Sequence, residues 1–76
     1  NNVQNGPAKL LDVLALLEER LRDGLVSGQV GTVMEVYSPE AFEVEFLDSP
    51  GRTVAVVTLK RPEVLALRHE PAAATS

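Results

Sequence analysis

Glu35, Glu43 and Glu45 are the residues whose types and spacing come nearest to chemistry in this chain. Glu43 and Glu45 alternate with Phe42, Val44 and Phe46, so an extended backbone puts the carboxylates on one face and the apolar side chains on the other. A hairpin that brings Glu35 alongside sets like charges against each other across strands, which destabilises the protein alone and which a cationic partner relieves. The competing reading is that Arg20, Arg22 or Arg52 folds over the glutamates, or that solvent screens them. Acid–base catalysis by paired carboxylates needs a low-dielectric cleft to separate their pKa values, and an exposed strand face has none. No catalytic residue is assigned.

Other candidates carry less. Gly28 and Gly31 bracket the bend Gly28-Gln29-Val30-Gly31-Thr32-Val33, and glycine-rich bends can cradle phosphate through backbone amides. A phosphate loop would continue into a helix bearing Lys and Ser or Thr, which is missing here. These glycines are therefore expected to serve backbone geometry, through a positive dihedral or a close approach that a Cβ would obstruct. His69, the sole histidine, lies next to Glu70 and just before the tail, without converging partners for catalysis or a metal. With no cysteine in the chain, thiolate chemistry and thiolate metal sites are excluded, and neither metal nor cofactor is expected.

Charge narrows the class of partner. Eleven acidic residues against seven basic ones leave a formal charge of −4, and the basic residues are scattered apart from the pair Lys60-Arg61. Nucleic-acid binding draws on a clustered basic face to neutralise phosphates, so this balance disfavours it, and membrane-surface binding for the same reason. The longest apolar stretch, Val13 to Leu17, is far below the ~20 residues of a membrane span. No basic-then-apolar signal pattern opens the chain, and the expectation is a soluble cytoplasmic protein.

The elements that must position these residues fit a single domain of 76 residues. Residues 1–9 and 70–76 are read as flexible tails around a domain at 10–69. From Pro7 to Asp23 two readings compete. Leu10, Leu14, Leu17 and Leu21 form a helical stripe, with Pro7 suited to a first turn and Gly24 to a C-cap. Asp12 to Glu18 also serves as a strand, with Val13, Ala15 and Leu17 on one face and burial on both sides.

Beyond Gly28 the pattern is that of an antiparallel sheet. Ser38-Pro39-Glu40-Ala41 turns the chain between the Met34 to Tyr37 and Phe42 to Leu47 runs. Setting Val44 opposite Val36 and Phe46 opposite Met34 predicts Glu45 opposite Glu35 and Glu43 opposite Tyr37. Asp48-Ser49-Pro50-Gly51 makes the next turn, after which Val54 and Val56 are expected inside, and Ala55, Val57 and Leu59 outside, together with Val33. Pro62 breaks the strand with a single helical turn at Pro62 to Val64, and Val64 to Leu67 closes the sheet.

Laid out this way, the chain resembles the bacterial domain-of-unknown-function family numbered forty-nine twenty-six, over roughly Leu11 to Leu67. The elements that carry the resemblance are Asp12-Val13-Leu14-Ala15-Leu16-Leu17-Glu18, Gly24-Leu25, the Gly28 to Val33 bend, Tyr37, Phe42-Glu43-Val44-Glu45-Phe46, and Gly51-Arg52-Thr53 with the Val54 to Leu59 strand. It implies a compact SH3-like barrel in which Asp12 to Glu18 is the first strand and Glu19 to Ser27 a long loop. It implies no activity, cofactor or site residue.

The expected fold is thus an all-β SH3-like barrel of four to five antiparallel strands, the alternative being a helix over Pro7–Asp23 on a four-stranded sheet. The expected function is a non-enzymatic protein-interaction module, a dedicated partner such as an immunity or regulatory protein or a homo-oligomer. Its docking face would comprise Glu35, Tyr37, Glu43, Glu45, Val57 and Leu59. A nucleic-acid-associated small barrel is the alternative.

Overall fold

The alternating run at Phe42 to Phe46 forms a strand with neighbours on both sides, as half-buried periodicity demands. The structure, a computed structural model, describes residues 8–67. It contains five strands: β1 Val13–Leu16, β2 Val30–Ser38, β3 Ala41–Leu47, β4 Thr53–Lys60 and β5 Val64–Ala66. They form one antiparallel sheet in the order β4-β3-β2-β1-β5. No α-helix occurs among the described residues, so among them the apolar face of the sheet is covered by the sheet itself and by the loop that carries Leu25. Leu14, Leu16, Val33, Phe42, Val44, Phe46, Val57, Leu59 and Val64 are nevertheless all buried. The sheet must therefore fold over on that face, giving a small SH3-like barrel left partly open between β4 and β5. Among the described residues no helix is long and apolar enough to cross a membrane.

The long strand β2 makes this possible. Its first residues pair with β1 while its remainder pairs with β3, and the β3 ladder slips at Met34 and again at Tyr37, each an extra residue on β2. Bulges of this kind raise local twist and let one strand serve two walls of a curled sheet. Gly31 faces the interior opposite Phe46, and a Cβ there would stand 2.7 Å from Val44 Cγ1 and 2.8 Å from Phe46 Cε2. Gly28 has φ +88° with open space around it. The two roles expected for glycine are thus divided, close approach at Gly31 and positive φ at Gly28.

The segment with two readings is a strand followed by a loop. The helix over Pro7–Asp23 does not form: β1 occupies Val13–Leu16, and its only helical remnant is a 3-10 turn, Leu21–Asp23, capped by Gly24 at φ +74°. The supposed helical stripe has no common environment, since Leu14 is buried while Leu10, Leu17 and Leu21 are exposed. A pattern spaced for a helix yields because Leu14 and Leu16 bury a strand face against the rest of the barrel. The loop is tied back by Gly28 N–H to Leu16 O (2.6 Å), Ser27 Oγ–H to Leu17 O (2.8 Å) and the Arg20–Leu25 backbone pair. It delivers Leu25 into the core, where that residue is fully buried.

The turns follow the local chemistry. Asp48 accepts Arg52 N–H on Oδ1 (2.8 Å) across the turn that Gly51 completes at φ +96°. Arg61–Glu63 is a 3-10 turn with Pro62 in its first turn, and Glu63 Oε1 accepts Lys60 N–H at 2.7 Å. β5 then returns beside β1 as the closing strand. Two expectations are corrected. The β2–β3 register is Val33 opposite Val44 and Gly31 opposite Phe46, with Glu35 opposite Glu43, because the two bulges displace it. Strand β4 has the opposite phase: Val57 and Leu59 are buried at 9% and 0% exposure and Ala55 packs against the core, while Val54 and Val56 face solvent; Val33, expected outside with Val57 and Leu59, is likewise buried.

Candidate functional site

Outward-facing residues of β2, β3 and β4 build the acidic face row by row. Pairing sets Glu35 opposite Glu43 and Glu43 opposite Thr58; one row along, Thr32, Glu45 and Val56 stand in line. The β3 alternation forces Glu43 and Glu45 outward once Phe42, Val44 and Phe46 are committed to the core. Glu35 joins them only because the Met34 bulge shifts the phase of β2: Val33 points inward, and two residues later Glu35 points outward.

Tyr37, the extra residue of the second bulge, reaches back over this face. Its hydroxyl donates to Glu43 Oε1 at 2.6 Å. That hydrogen bond, with the nearby charges of Glu43 and Glu35, pushes the phenol up to about 12, because ionising Tyr37 would bring a third negative charge to the group. Thr53 Oγ–H donates to Glu45 Oε2, also at 2.6 Å. Both neutral donors orient a carboxylate without neutralising it.

Two of the arginines that might have covered the face are engaged elsewhere. Arg20 bonds Asp23 (3.0 Å) and faces Glu63 (3.7 Å), while Arg52 pairs with Asp48 at 3.2 Å in its own turn. Glu35, Tyr37, Glu43 and Glu45 thus share the outer face of the β2–β3 hairpin, with Glu35 and Tyr37 exposed and Glu43 and Glu45 half-buried.

Val57 and Leu59 are not part of it. They are core residues, and the apolar border of the acidic face is supplied instead by Val56 at 47% exposure and, across Thr32, by Val13. A signal for this lay in β4 itself: Val54 and Val56 share parity with the polar Thr58 and Lys60, which marks that side as the wet one. Beyond Val13 the outer surface of β1 and its neighbours remains apolar through Val30 and Leu67.

Among the described residues no group of three or more His, Cys, Asp or Glu could hold a metal ion. His69 lies outside the described residues. What the arrangement can do is attract and orient positive charge over a rigid sheet.

Comparison with curated proteins and with solved structures finds no match. The sequence profile described as Domain of unknown function (DUF4926) matches residues 10–66, a span that takes in all five strands and the Leu25 loop. The chain belongs to that family of domains.

Proposed function

We propose that this protein is a non-enzymatic interaction module that docks a basic surface of another protein onto Glu35, Glu43 and Glu45. The observation that carries the reading is the direct opposition of Glu35 and Glu43 in the ladder, with Glu45 in the next row and Arg20 and Arg52 spent on other carboxylates. Like charges held opposite one another cost stability in the free protein, and a cationic partner recovers that cost on binding. Tyr37 adds an aromatic ring at 54% exposure beside the carboxylates, the residue type that interfaces favour for contact area with a polar tip.

Co-purification from the native cell, run in parallel with the Glu35→Lys/Glu45→Lys form, tests this. The expected result is a basic protein retained at low salt, released as salt rises, and lost from the double variant. A partner held equally by both forms at every salt concentration would refute the proposal. The alternative, nucleic-acid binding, would show as retardation of RNA or DNA in a low-salt gel shift.

A further inference from the structure

Strand β4 is one edge of the sheet, and it is unusually open. It is eight residues long and among the described residues pairs only with β3, whereas the opposite edge, β5, has three residues. From Thr53 to Leu59 it contains no charge and no proline, the devices by which natural edges are kept from pairing with other chains. Its bulge lies at Val54, so the stretch from Ala55 to Lys60 runs in regular register beside β3. Val54 and Val56 project from it into solvent.

We propose that β4 pairs antiparallel with β4 of a second copy of this chain, joining two curled sheets edge to edge. The strand is complementary to itself. Its inward residues Ala55, Val57 and Leu59 and its outward residues Val56, Thr58 and Lys60 keep to their own faces only if the two-fold axis passes through a residue position. With the axis at Val57, Ala55 meets Leu59 and Val56 meets Thr58; with the axis at Thr58, Val57 meets Leu59 and Val56 meets Lys60. Either arrangement extends the apolar layer across the junction, and neither opposes like charges.

Charge favours the same occupant. Lys60 is the only charged residue of β4, and both registers place it opposite Val54 or Val56 of the second copy, beside the strand that carries Glu45 there. The carboxylates used in the proposed function, Glu35, Glu43 and Glu45, lie on β2 and β3, and edge pairing of β4 leaves them open, so the two readings stand or fall separately.

Sedimentation equilibrium across a rising concentration series is the test, with the Val56→Lys/Thr58→Lys form alongside. Both positions are solvent-facing, so that form keeps the monomer fold, which circular dichroism verifies. It brings lysines opposite lysines in both registers. The wild type is expected to pass from 8.2 kDa to twice that mass, with slowed amide exchange along β4 in the dimer. In the double variant the dissociation constant is expected to rise about tenfold or more. A wild type that remains at 8.2 kDa throughout overturns the proposal. So does a dimer that the variant leaves intact, which would place the contact on another surface, such as the apolar one at Val13, Val30 and Leu67.

Discussion

Gly31 lies directly opposite Phe46 in the β2–β3 ladder, and the Phe46 ring occupies the space where a Gly31 side chain would begin, 2.8 Å from Cε2 to an added Cβ. Phe46 and Val44 are both fully buried, so neither can swing aside into solvent. Gly31→Ala is expected to destabilise the fold by about 1–3 kcal/mol through overpacking. At Gly28 the surroundings are open and only the positive φ resists a side chain, so Gly28→Ala is expected to cost about 1 kcal/mol. Urea unfolding of both variants measures the difference; a loss at Gly31 no larger than that at Gly28 would show that Val44 and Phe46 yield to the added methyl.

Leu25 and Arg20 anchor the same loop by different means, and they should differ sharply on truncation. Leu25 is completely buried, so Leu25→Ala is expected to cost about 2–5 kcal/mol. The Arg20 ion pairs are part-exposed, and Arg20→Ala is expected to cost below about 1 kcal/mol, less in high salt. Denaturation midpoints at low and high salt check both values.

Tyr37 provides an optical probe, because the chain has a single tyrosine. Its folded-state pKa of about 12 stands above the unfolded value of 10.0, chiefly through the Glu43 hydrogen bond. The resulting stability is fully present below pH 10 and is lost as pH climbs from 10 toward 12. Titration of phenolate absorbance should give a midpoint near 12 in buffer and near 10 in denaturant, and Glu43→Ala should move the buffered midpoint down.

Glu35→Lys should have opposite effects on folding and on docking. Replacing one of two opposed carboxylates with a cation removes a cross-strand repulsion and should stabilise the protein by about 0.2–1 kcal/mol at low salt. Thermal melts at two ionic strengths measure this, with the gain expected to shrink as salt is added.

Several of these features are legible in the order of the amino acids. The alternation at Phe42 to Phe46 settles which side of β3 is buried, because each apolar residue there has charged neighbours to set the phase. The two turns before and after it, the positive φ at Gly28 and the helical turn at Pro62 follow from backbone preferences that act over a few residues, whereas the close approach at Gly31 is set by Val44 and Phe46 across the core. The acidic face is legible for the same reason, apart from its pairing.

The amino-acid sequence alone thus determined an antiparallel sheet beyond Gly28 with an acidic outer face, since strand periodicity and turn chemistry are local properties. Only the tertiary structure decided how the pieces register. A bulge at Met34 shifts the residues that follow it in β2 by one place, and that is what brings Glu35, and not Met34, opposite Glu43. The leucine-rich Leu10 to Leu21 segment could satisfy two periodicities, and burial of Leu14 and Leu16 inside the barrel chose the strand. Val57 and Leu59 went inward and Leu25 left its loop for the core because a curled sheet with no covering helix must fill its interior from every wall and loop it has.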